Sequence, residues 1–211
     1  MFSVRALMDA VQELMNVSVD IILALSALNA AFHLFKDHRA PSVGFLLVAC
    51  SSALAVLPAS TPSLAAAQKD LEWAAEALGP VLSAFGFLWL SEDRSTAHVL
   101  LIGSTLLPLL ADWLSVDGLV VMSRCVGLSA LSCSLTVCLF AGNAAGVVGS
   151  VALSLPALVA PRVRGAALGS ITSPQAAGGL LRWMLKAVMA GGCWTTKTAL
   201  NKFLQDLKGW D

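Results

Sequence analysis

The sequence predicts an all-α fold, a polytopic integral membrane helix bundle. Three observations carry this expectation. Hydrophobic residue types make up 57% of the 211 residues and charged types only 12%, against roughly 45–50% and about 25% in a soluble domain. Mean hydropathy is +0.80. The apolar residues also gather into stretches near the ~20 that a helix needs to cross a hydrocarbon core about 30 Å thick. Thirteen basic residues balance thirteen acidic ones, which exerts no pull toward nucleic acid. An apolar content this high also excludes disorder.

Residues 1–16 carry Arg5, Asp9 and Glu13 and lack the pattern of a secretory signal. Val4, Leu7, Met8, Val11, Leu14 and Met15 recur at helical spacing, so this stretch reads as an amphipathic helix. Six apolar spans are expected after it, at about 17–35, 42–57, 71–90, 97–114, 119–141 and 145–160. Lys36–Ala40 breaks the first from the second. Pro58, Ser60, Pro62 and Ser63 give the next connection a turn-forming composition. Glu92, Asp93 and Arg94 end the third span, Ser115–Gly118 separates the fourth from the fifth, and Pro161 and Arg162 close the sixth. Several spans hold only 16–18 residues, which leans toward a thin bilayer such as the endoplasmic reticulum.

Residues 162–211 are expected to lie on the membrane surface as a basic amphipathic segment. Arg182, Lys186, Lys197, Lys202 and Lys208 mark its polar side. A seventh span over 176–196 would place Arg182 and Lys186 in hydrocarbon at roughly 2.5–3.5 kcal/mol each, while each Leu returns only about 0.5 kcal/mol. The surface placement is therefore preferred, with seven spans as the alternative. Six spans put both termini on one side. That side then collects ten Lys and Arg against three on the other, which predicts both termini in the cytoplasm.

Ionisable residues within spans are costly and mark candidate sites. Asp20, Glu76, Asp112 and Arg124 thread to one leaflet in this topology, and His33 and His98 fall near the opposite face. Asp112 and Arg124 flank a tight turn and suit an ion pair. Three carboxylates against one arginine also suit a hydrated acidic vestibule. Gly142, Gly146, Ser150 and Ser154 repeat every four residues and form a small-residue ladder for close helix packing. Spans 5 and 6, both rich in small residues, are expected to be interior helices. Five cysteines without a CxxC indicate neither a disulfide framework nor a zinc site.

No nucleophile elbow, HExxH, P-loop or dinucleotide fingerprint is present, and no cofactor or metal is called for. The expected function is non-enzymatic, with the protein acting through helix packing. Its expected partners are the lipid bilayer and either a membrane protein or further copies of itself. The rivals are a cation- or proton-linked transporter using Asp20, Glu76 and Asp112, and an intramembrane lipid hydrolase.

Overall fold

The computed structural model describes residues 2–58, 61–111, 113–159 and 175–208, with side chains described over 10–206 of these except 175–178. They form seven helices: α1 (Phe2–Leu34), α2 (Arg39–Val56), α3 (Pro62–Leu90), α4 (Arg94–Leu110), α5 (Val116–Phe140), α6 (Ala144–Val159) and α7 (Gln175–Lys208). The described residues contain no strand. Four segments are long and apolar enough to cross a membrane: Ala10–Leu34, Arg39–Val56, Pro62–Leu90 and Val116–Phe140. Arg94–Leu110 and Ala144–Val159 are shorter apolar helices.

Two boundaries differ from the sequence expectation, each for a local reason. The amphipathic segment at the amino terminus and the first span form one continuous α1. No glycine or proline interrupts residues 2–34, so nothing breaks the helix between them. α3 begins at Pro62, nine residues before the expected start. Thr61 caps it, with its Oγ1 accepting from the Leu64 amide at 3.3 Å, and Pro62 follows in the first turn, where its missing N–H costs nothing. Gln68, one turn further, donates from Nε2 to the carbonyls of Leu54 at 2.6 Å and Leu57 at 3.0 Å. It thereby satisfies the end of α2.

The turns after α3 and α5 share one device. Glu92 and Gly142 take left-handed backbone angles, with φ of 64° and 63°. Past them, Asp93 N–H reaches back to Leu88 O at 3.1 Å, and Asn143 N–H reaches Cys138 O at 2.8 Å, which closes both helix ends. The same two residues cap the next helices. Asp93 Oδ1 accepts from the Thr96 amide at 3.2 Å and Asn143 Oδ1 from the Gly146 amide at 3.0 Å. Hydrogen bonds from Thr96 hold the exposed Asp93 carboxyl below its usual range.

α3 is the centre of the bundle. It packs against α2, α4, α5, α6 and α7, and 61% of its most apolar window is buried. A large core joins Leu23, Phe45, Val48, Phe87, Leu153, Met189 and Leu200. A second cluster joins Trp73, Leu107 and Leu119. α6 is interior, as expected. α5 is peripheral instead, with only 22% of its window buried. Three of its hydroxyls need no neighbour, because Ser132, Ser134 and Thr136 donate to their own helix's carbonyls at 2.9–3.0 Å.

The main departure from expectation is α7. It does not lie outside the bundle but packs along α1 and α6. It runs parallel to α1, facing it at Gln12–Gly179, Asp20–Lys186 and Ser26–Ala190. It runs antiparallel to α6, meeting it at Ala152–Gly192 and Gly149–Thr196, and Asn143 Nδ2 donates to Ala199 O at 2.9 Å. Leu185, Met189, Cys193, Thr196 and Leu200 are buried along this face. The Phe2 end of α1 and the Lys208 end of α7 therefore sit at opposite ends of the bundle, whereas six crossings would return both termini to one face.

Candidate functional site: charges between α1, α3 and α7

Asp20 lies in the middle of α1, where it is the one carboxylate after Glu13, and is buried there. Lys186 approaches it from α7 and donates from Nζ to Asp20 Oδ1. The same ammonium stands 3.6 Å from Glu72 Oε1 on α3. Side-chain exposures of 15% for Lys186, 7% for Asp20 and 21% for Glu72 place the group well inside the protein surface. Charges this sheltered must be paired, because an isolated one would lose hydration without compensation. One ammonium serves two carboxylates, and the cluster ties three helices from distant parts of the chain.

Beside it lies a small cavity of about 20 Å³, lined by Ser51, Ser52, Glu72, Glu76, Lys186 and Met189 among others. A space of this size holds roughly one water molecule. Glu72 and Glu76 reach it from successive turns of one α3 face, four residues apart. Among the described residues, no group of three His, Cys, Asp or Glu side chains is placed to hold a metal ion.

The other candidate residues lie elsewhere. Arg124 is exposed on α5, which packs against α3, α4 and α6 and does not reach the cluster. Asp112 lies outside the described residues. His33 is exposed in the last turn of α1, edge-on to Phe32. His98 sits at the start of α4, its Nδ1 2.6 Å from Arg94 O and its ring edge-on to Phe85 and Trp89. Arg94 covers Trp89 at 5.1 Å. Both histidines are at the end of the bundle opposite Asp20.

The small-residue ladder divides. Gly142 is not on α6 at all, because its positive φ makes it the closing residue of α5. Gly146 abuts Cys138 and Phe87, and Ser150 and Ser154 are buried. The tightest seam on α6 is one the ladder does not contain, where Gly149 faces Thr196 and Gly192 of α7 faces Ala152 and Leu153. Of the basic set on α7, Arg182 and Lys202 are exposed. Lys197 stands over the Trp194 ring at 4.6 Å. The side chain of Lys208 lies outside the described residues.

Of the acids the sequence singles out, Asp20 meets Lys186 and Glu76 lines the cavity beside it, while Glu72 and the pairing of Lys186 were not anticipated. The spacing of Glu72 from Glu76 was an available signal. The pairing of Lys186 with a residue 166 positions away left no local trace.

No family model matches the chain, and no solved structure matches it. Curated relatives do. The chain is 32% identical to transmembrane protein 276 of Bos taurus over 184 residues, which cover 85% of this chain and 89% of that protein. It is 31% identical to the Mus musculus protein of the same name over 139 residues, covering 66% of this chain and 71% of the relative. The Homo sapiens protein is 30% identical over 141 residues, with the same coverage.

Proposed function

This chain belongs to the transmembrane protein 276 family, and from that membership we propose that it is a non-catalytic multi-pass membrane protein that works by receiving a further transmembrane helix. One observation carries the reading. α5 is the least buried of the four long apolar helices, and its outward face carries Cys125, Ser129, Ser132 and Thr136 among larger apolar residues. Small and hydroxyl-bearing side chains let a second backbone approach closely. The partner is a membrane protein or a second copy of this chain, and the basic residues of α7 favour anionic lipid beside it.

The short α4 and α6 favour a thin membrane such as the endoplasmic reticulum.

A photo-crosslinker at Ser132, activated in native membranes, tests the α5 reading. The expected product is one discrete protein adduct that Ser129→Leu and Thr136→Leu abolish. An adduct of twice the chain mass identifies a second copy. Lipid adducts alone refute the reading.

The cavity beside Glu72, Glu76 and Lys186 favours one second reading, cation- or proton-linked transport. It requires proton flux in liposomes that Glu76→Gln abolishes. Tight liposomes containing folded protein exclude it.

A further inference from the structure

We propose that α7 is a conditional transmembrane helix, one that crosses the bilayer only because Asp20 and Glu72 neutralise Lys186 inside the bundle. By composition α7 does not qualify alone. It is absent from the segments apolar enough to span, and its sequence carries Arg182, Lys186, Lys197 and Lys202. Its packing is nonetheless that of a crossing helix. It meets α1 near Gln12 at one end of the bundle, and at the other Leu200 reaches the contact between Gly86 and Pro41. Thirty-four helical residues extend about 51 Å at 1.5 Å each, more than the ~30 Å of hydrocarbon to be crossed.

The charges are distributed to suit this. Between Arg182 and Lys197 the only charged side chain is Lys186, and that one finds Asp20 and Glu72. Its two partners sit on α1 and α3, which are apolar enough to be membrane helices in their own right. An acid buried in α1 and a base buried in α7 are each unfavourable alone and compatible together. A helix that is marginal by itself thus gains its place from partners laid down earlier in the chain. The two termini then lie in opposite compartments. The proposal stands independently of what binds α5.

The test uses the full-length chain in sealed vesicles, with an epitope tag at each end and protease added from outside. The wild type is expected to show the tags on opposite sides. In Asp20→Lys the carboxyl-terminal tag moves to the side of the amino-terminal tag in most molecules, while the amino-terminal tag stays put. Combining Asp20→Lys with Lys186→Asp returns the tags to opposite sides and restores the protein level if the single variant is degraded. Wild-type tags on one side overturn the proposal. So do tags that stay opposite in Asp20→Lys, or a charge-swapped variant that behaves no better than the single one.

Discussion

Gly191 and Gly192 are adjacent on α7, yet a methyl group added to each meets opposite surroundings. At Gly191 nothing lies within 4 Å of the new carbon. At Gly192 it would stand 2.9 Å from Ala152 Cβ and 3.2 Å from the Leu153 amide nitrogen of α6. Neither neighbour is the free end of a flexible side chain, so α7 must withdraw. Both substitutions to alanine gain the same helix propensity, about 1 kcal/mol. The difference between them therefore isolates the steric effect. Overpacking a well-filled interface by one methyl costs about 1–3 kcal/mol, because a withdrawal of 0.5–1 Å forfeits a quarter to a half of each contact's dispersion energy. Gly191→Ala should be more stable than the wild type and Gly192→Ala less stable than Gly191→Ala by that margin, a factor of roughly 5 to 150 in the unfolding equilibrium. Titration with sodium dodecyl sulfate in mixed micelles, followed by tryptophan fluorescence, measures both. Equal stabilities for the two variants would refute the packing of α7 on α6.

Four further outcomes are expected. Lys186→Met should destabilise the protein by about 3–5 kcal/mol, since it leaves the buried Asp20 carboxylate without its cation, and Asp20→Leu should cost less, because Lys186 keeps Glu72 at 3.6 Å; the double variant should recover part of the Lys186→Met loss, which a double-mutant cycle in the same micelles checks. Gln68→Leu should cost about 1–2 kcal/mol by opening the carbonyls at the end of α2, visible as faster amide exchange across the α2–α3 connection. Glu92→Gly should gain about 1 kcal/mol, because glycine adopts the positive φ there without strain; a thermal melt in detergent reads it. The Asp93 carboxyl titrates below its ordinary value of 3.8 because Thr96 donates to the ionised form, so its capping contribution is complete above that pH and is lost as pH falls through the depressed value. Amide exchange at Thr96 should rise in that acid range in the wild type and show no such step in Asp93→Asn.

Most of the helical layout was legible because hydropathy is a local property. α2, α4, α5 and α6 fall within a few residues of the apolar stretches that announce them, and α3 ends where its stretch ends but starts nine residues earlier. The Thr61-Pro62 start of α3 was also written locally, as a cap followed by a first-turn proline, but its composition is equally that of a turn. α5, expected to be interior for its small residues, is peripheral, and the carbonyl three or four residues back suffices for the hydroxyls of Ser132, Ser134 and Thr136. The packing of α7 along α1 and α6 was not legible for a non-local reason, because the carboxylates that pair with Lys186 lie on α1 and α3. For the candidate site, the rarity of acids in apolar helices was enough to single out Asp20 and Glu76. The identity of their neighbours depended on which helices touch, and that information emerges only from the packed chain.

The paired turns after α3 and α5 also shape the outline of the molecule. Three residues carry the chain from α3 to α4 and three from α5 to α6, and four join α1 to α2. That pole is almost flush, with no loop standing proud of the helix ends. The longer connections, α2 to α3, α4 to α5 and α6 to α7, all leave and re-enter the bundle at the helix ends of the other pole. An insertion or a tag placed between helices therefore disturbs tight three- or four-residue turns at one pole and falls within longer connections at the other.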